Sequence, residues 1–366
     1  MSPSKTMPPM NRSDYKRLGN YIREVDVRNR DLAVTNLLGV SISKEFIPSI
    51  ANTIGTDMSS YKVVRPNQFA YGPVTSRNGD KVSIALFHGD GCAIISQAYT
   101  VFEVQDGENL MPEYLMMWFR RPEFDRYARF HSHGSAREIF DWDELCDVLL
   151  PVPSIERQRA MVAEYETIER RIDLNRSMIA QLEATAQTLY RKMFVDDIDP
   201  EHLPAGWRMG TLGEIADFKN GKAVQKGLGN IPIYGGNGIV GYCSASNAKN
   251  VIIIGRVGIN CGSIFLETKD CWVNDNAIIG IAHSDLSYYL YQTINRMDLN
   301  SQSEGSGQPL LTQAILNNQE CVIPPQDIAV TFNTRIECVY KYLETLNEEQ
   351  SILTELQSLL LAKMGQ

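Results

Sequence analysis

The chain has no apolar run near the roughly 20 residues needed to cross a bilayer, and its opening MSPSKTMPPMNRSDYKR lacks the apolar stretch of a signal peptide. Both absences point to a protein that stays in the cytoplasm. Seven cysteines, at 92, 146, 243, 261, 271, 321 and 338, form an odd set without a CxxC pair. That suits a reducing compartment better than a disulfide framework. His131 and His133 have no Cys or carboxylate at ligand spacing, so they read as polar loop residues and no metal is expected. The GxxxxGK[ST] phosphate loop, GxSxG and HExxH are absent, as is an Asn or Asp followed by Pro-Pro and an aromatic, the signature of amino-methyltransferases. Catalysis has no visible home. A basic surplus is missing too: 35 Lys and Arg stand against 44 Asp and Glu, for a net charge of −9. Residues 1–150 and 200–321 each carry only two more acids than bases. A chain so charged binds nucleic acid weakly alone and needs partners to supply phosphate contacts.

What is present is a repeat. Tyr165, Ile168, Ile172, Asn175, Ile179, Leu182, Ala186, Leu189 and Met193 keep an unbroken three-four spacing, which places them on one helical stripe. Adding 171 to each number gives Ile336, Val339, Leu343, Leu346, Gln350, Leu353, Gln357, Leu360 and Met364, a second stripe of the same form. The offset extends upstream, pairing Pro153 with Pro324, Gly134 and Ser135 with Gly305 and Ser306, and Leu115 with Leu286. Before that it slips: Leu18 and Gly19 match Leu212 and Gly213 at an offset of 194. The order is globular unit, helix, globular unit, helix. A helix of about 40 residues is a rod on the order of 60 Å, which a small domain cannot bury. Each should pair with its copy, antiparallel because the second must return along the first, with Asn175, Gln350 and Gln357 setting register.

Along the chain, residues 1–13 read as a disordered tail. Turn chemistry at Asn78 and Gly79 between two apolar runs predicts a hairpin. PEYLMMWFRRPEFDRYARF reads as one helix, Ser154 as the N-cap of the first long helix, and Phe194 as its end before an acidic, proline-bearing stretch. In the second unit IPIYGGNGIVGY reads as a glycine-rich turn region, NVIIIGRVGINCGSIFLE as strand-turn-strand, and CWVNDNAIIGI as one further strand. Gly236, Gly238 and Gly241 fit GxGxxG, but a beta run follows where a dinucleotide site requires a helix, so these glycines read as turns. With no clean strand-helix alternation, both units are mixed α and β and the fold is not doubly wound.

Polar and basic side chains gather in the predicted loops. In the first unit they are Ser76, Arg77, Asn78, Lys81, Arg126, Arg129, His131, Ser132, His133 and Arg137. In the second they are Lys219, Asn220, Lys222, Lys226, Asn237, Arg256, Asn274, Asn276, Gln302 and Ser303. Such side chains hold phosphates and read base edges. Loops are polar in any protein, so only the group, taken with the repeat, points to DNA. A coiled-coil scaffold holding two protein-binding domains is the competing reading, and an independent enzyme the weakest.

Several segments together resemble the specificity subunits of type I restriction-modification systems. They are YKRLGNYIREVDVRN at the start, TLGEIADFKNGKAV opening the second unit, IIIGRVG, and the proline-led helices PVPSIERQ and VIPPQDIA that run to RKMF and AKM. The closing copy departs from the first in having Ala329 where the first has Gln158. The resemblance implies an α+β chain of two mixed α/β target recognition domains joined by two long helices. Those helices would form an antiparallel coiled coil with an internal pseudo-twofold repeat. The domains fall at 1–150 and 200–321, the helical spacers at 151–199 and 322–366. It implies a non-catalytic chain in which each recognition domain reads one half of a bipartite double-stranded DNA site. The helices would set the spacing and dock two modification (methyltransferase) subunits. S-adenosylmethionine, ATP and Mg belong on partner subunits, including any restriction subunits that cut.

Overall fold

The computed structural model describes residues 15–49, 55–76, 78–134, 138–223, 227–284, 286–301 and 310–365. The tail expected at 1–13 lies outside them. Contacts divide the chain into two compact units, residues 1–174 with 349–366, and residues 175–348. The division falls inside both long helices, so each unit holds part of each.

The first unit begins with β1 (Tyr15–Arg17), β2 (Ile22–Val25), β3 (Leu38–Val40) and β4 (Phe46–Pro48). β5 (Lys62–Val64), β6 (Gln68–Tyr71), β7 (Ile84–Leu86), β8 (Ala93–Ile95) and β9 (Thr100–Val104) follow. Its main sheet runs β2-β9-β6-β7, and β6 and β7 pair antiparallel across the expected Asn78–Gly79 turn. Helices α1 (Pro112–Phe119), α2 (Pro122–Phe130) and α3 (Trp142–Cys146) lead to β10 (Leu149–Pro151). The single helix expected over 112–130 is thus two. Pro122 has no N–H to donate and forces the preceding residue out of helical geometry; Arg121 is extended at ψ 137°, and Pro122 opens the new helix from its first turn. Every residue of α1 from Tyr114 to Phe119 is buried, and the core beneath is aromatic, with Phe69 stacked on Phe102 at 4.8 Å.

α4 (Ile155–Phe194) starts after Ser154, whose carbonyl accepts the Gln158 N–H at 3.0 Å, and ends at Phe194 as expected. The second unit then forms β11 (Arg208–Thr211), α5 (Leu212–Ile215), β12 (Ala216–Asn220), β13 (Ile231–Gly235), β14 (Gly238–Cys243) and β15 (Ala248–Gly255). β16 (Ile264–Val273), β17 (Ala277–Ala282), α6 (Ser287–Asn295), α7 (Gln313–Asn317), β18 (Glu320–Ile323) and α8 (Gln326–Lys363) complete it. A six-stranded sheet runs β12-β17-β15-β16-β13-β14, with β13 and β16 parallel. The one strand expected in CWVNDNAIIGI is two, since Asn274 Oδ1 accepts the Asn276 N–H at 2.9 Å and turns the chain between β16 and β17. No helix follows these glycines: Gly235 and Gly238 pair across the tight Gly236–Asn237 hairpin turn.

The repeat is physical. In each unit an opening strand pairs antiparallel with the strand feeding the long helix, β1 with β10 and β11 with β18. Leu18 N–H donates to Val148 O at 2.8 Å, and Leu212 N–H to Gln319 O at 2.9 Å. Val148 and Gln319 are 171 apart, so the two sequence offsets meet at one contact. The helices run antiparallel within each unit: Val162 and Tyr165 share a core with Leu361 and Met364, and Tyr190 and Phe194 pack on Phe332. None of the stripe positions on either helix is exposed. Asn175 is fully buried, as a polar residue that sets register must be. Where the copies differ, so do the bonds. Buried Gln158 accepts from Met111 N–H at 2.9 Å and donates to Asn109 O and Pro153 O. Ala329 cannot, and Asn333, one turn further along α8, accepts from Tyr289 N–H at 2.9 Å instead.

Candidate nucleic-acid interface

In the second unit four turns meet backbone to backbone. After β12, Lys222 N–H donates to Val273 O at 3.0 Å, and Trp272 Nε1 closes over the Lys222 carbonyl at 2.8 Å. The β13–β14 turn is Gly236–Asn237, and Ser263 Oγ of the β15–β16 loop donates to Gly236 O and to Asn260 O. Asn276 O accepts Arg256 N–H at 3.1 Å, and Asn274 N–H donates to Tyr234 O at 2.9 Å. The approach is so close that a Cβ on Gly255 would stand 2.6 Å from both Gly236 O and Ser263 Oγ, so only glycine fits there. Backbone packing therefore gathers Lys222, Asn237, Arg256, Asn274 and Asn276.

These side chains differ in how far they are committed. Asn274 is spent on its own turn. Lys222, Asn237 and Asn276 are exposed, while Arg256 is half-buried and its Nε has no hydrogen-bond partner. Lys219 and Asn220 stand exposed on β12. Among the described residues Lys219, Lys222 and Arg256 form no ion pair, whereas Arg208, Lys249 and Lys269 of the same unit are taken up by Glu214, Asp270, and Glu344 with Glu348. The gathered turns thus offer cationic and amide donors with unfilled capacity, the chemistry for phosphates and base edges. Lys226, Gln302 and Ser303 lie outside the described residues.

The first unit's candidates fall into two places. Lys81, Arg126 and Arg129 line a cleft of about 720 Å³ together with Lys44, Asp125 and Phe130. Arg129 donates to Gly79 O at 2.6 Å, and Asn78 Nδ2 to Val74 O at 3.3 Å, so both brace the turn, and the exposed Ser76 sits beside them. Lys81 and Arg126 face solvent, Arg126 with Glu123 at 3.2 Å. His131, Ser132 and His133 lie apart. Both imidazoles reach Glu144, at 2.7 and 3.5 Å, and Ser132 Oγ donates to Ala128 O at 2.7 Å. Glu144 is the carboxylate that sequence spacing did not show, yet no group of three or more potential ligands able to hold a metal occurs among the described residues. Arg77 and Arg137 lie outside them.

Sequence reasoning passed over Lys44, which forms the floor of the cleft. Its ammonium is 6% exposed, pairs with Asp125 at 2.8 Å and donates to Phe119 O. Burial pulls its pKa below the usual lysine value while Asp125 opposes the shift. Asp125 also accepts Val82 N–H at 3.1 Å, so one pair ties the β3–β4 loop, α2 and the strand into β7. Replacing Lys44 by Met leaves that carboxylate buried without its charge partner. The expected cost is about 3 kcal/mol in urea unfolding of the chain; a loss under about 1 kcal/mol would show the pair to be dispensable.

Residues 204–357 match the family model described as the type I restriction modification DNA specificity domain. That match covers the second recognition segment and most of the closing helix. The chain is 22% identical over 302 residues to the type I restriction enzyme MjaIX specificity subunit of Methanocaldococcus jannaschii, covering 70% of this chain and 69% of that one. Its fold is that of the type I restriction-modification S subunit of M. genitalium, with a TM-score of 0.65 at 16% identity over 96% of this chain and 95% of the other. The HsdS subunit of Thermoanaerobacter tengcongensis aligns over 96% of this chain and 95% of its own at 20% identity, with a TM-score of 0.38. Among the described residues no helix is long and apolar enough to cross a membrane.

Proposed function

We propose that this chain is a specificity subunit that selects DNA for a type I restriction-modification complex, each unit reading one half of a bipartite site. The observation that carries the reading is the cluster of turns in the second unit, where Lys222, Asn237 and Asn276 are exposed and Arg256 Nε is buried with no hydrogen-bond partner among the described residues. Arg and Asn are side chains that address base edges in either groove. On this reading the long helices set the distance between half-sites and dock two modification subunits, which carry S-adenosylmethionine and the methyl transfer. ATP and Mg serve restriction subunits where those are present, and the specificity subunit itself performs no catalysis.

The near-neutral acid-base balance of each unit has a consequence for the test. Few counterions are released when the chain binds alone, so its affinity is weak and shallow in salt, and steeper with modification subunits present. Selection from a random duplex pool, with and without those subunits at several salt concentrations, checks both points. Enrichment of one bipartite sequence by the complex is the expected result. If no sequence is enriched even with the partners, the scaffold reading takes its place.

A further inference from the structure

The β15–β16 loop of the second unit carries an apolar side chain that the fold has declined to bury. Ile259 is 93% exposed, whereas Cys261, two residues on, is 3% exposed and built into the core. The loop is not slack. Gly258 takes a left-handed φ of +69°, the turn Gly258–Asn260 is closed by Cys261 N–H on Gly258 O at 3.0 Å, and Gly262 N–H returns to Gly255 O at 2.8 Å. Ser263 N–H and Oγ both hold Asn260 O, at 3.2 and 2.8 Å. A mobile loop would fold Ile259 inward and gain on the order of 2 kcal/mol of burial; this one is braced so that it cannot.

Place matters as much as exposure. Ile259 follows Arg256 by three residues, on the loop whose Ser263 bonds the Gly236–Asn237 turn. Among the described residues of the unit, the other fully exposed aliphatic, Leu228 at 98%, sits by Tyr242 and Cys243, at the end of the β13–β14 hairpin away from that turn. Ile239 and Val240 follow that turn on β14 at 50% and 37%, so among the described residues Ile259 is the most exposed aliphatic on the donor-bearing turns. A rigid aliphatic beside a cationic and amide cluster is the arrangement with which proteins open a base step, since phosphate contacts hold the duplex while the wedge unstacks it.

We propose that Ile259 is a wedge that enters one base step of the half-site read by this unit. Part of the specificity is then indirect: the entered step is a pyrimidine–purine step, the kind that unstacks most readily. The inference rests on the DNA reading above.

Its test uses the reconstituted complex with modification subunits, on the duplex defined by mapping the adenines it methylates. 2-Aminopurine is placed in turn at each purine of that half-site except the methylated adenine, whose own extrusion would mask the signal. Wild type should raise the fluorescence several-fold at one step. Ile259→Ala should abolish the rise while weakening binding, read by anisotropy, less than about tenfold, and Ile259→Leu should restore it. Equal melting temperatures establish that the variants fold. A rise undiminished in Ile259→Ala, or none at any position while wild type binds, overturns the wedge alone. Absence of binding by the wild-type complex overturns the DNA reading beneath it.

Discussion

Exchanging residues 200–321 for the matching unit of a relative changes one half of the methylated sequence and leaves the other intact. The second unit has its own cores, one built around Leu212, Ile252, Tyr289 and Leu316 and another around Val251, Ile253 and Val273, and its donors sit on loops within the exchanged span. The exchange carries two of the four β11–β18 pairs, Thr211 with Glu320 and Gly210 with Cys321, and joins the host at Val322 and Ile323. Three altered base pairs at about 1–3 kcal/mol each shift preference by about a hundredfold or more. Sequencing the methylated adenines of the chimera reads this directly, and a change in both halves would show that the units do not read independently.

Lengthening the helices should alter the site in a different way. One heptad inserted after Leu174 in α4 and one after Glu348 in α8 keep both three-four stripes, so the antiparallel pairing survives. Arg171 and Glu349, joined at 2.9 Å, show that these positions lie on facing segments. Seven residues add about 10 Å, or about three base pairs of duplex at roughly 3.4 Å each. Both half-sequences are then kept and the unread spacer between them grows by about three base pairs, or methylation is lost because the added rotation prevents both halves from docking at once. Methylome mapping distinguishes these outcomes from the contrary one, an active complex with its original spacer, which would show that the helices do not set the distance.

The helices were legible because a long stripe needs only periodicity, and each stripe residue from Tyr165 to Met193 is at least half-buried in the fold. Local breaks were harder. The RRP at Arg120–Pro122 ends one helix and begins another, and Pro122 carried that signal in plain view. The Asn274–Asn276 turn was hidden because its apolar flanks read as continuous. Site geometry lay beyond the sequence for a different reason. Lys44 meets Asp125, and Glu144 meets His131, through folding that linear spacing does not encode. Arg256, Asn237 and Asn276 could be named as candidates, but their meeting depends on close backbone contacts at Gly255 that no side-chain pattern announces. Ile259 was passed over because an apolar residue in a loop looks like core until its exposure is known.

The two units differ in how ribosomal synthesis delivers them. Residues 175–348 form one continuous stretch, so the second unit has all its parts once Glu348 emerges. The first must wait for residues 349–366, since Val162 and Tyr165 share their core with Leu361 and Met364, and the Tyr15 hydroxyl donates to Gly365 O across 350 positions. At about 5–20 residues per second that wait is on the order of ten seconds or more. Through that interval the N-terminal unit stands unfinished with part of its helical seam open, so the half of the chain made first is the half completed last.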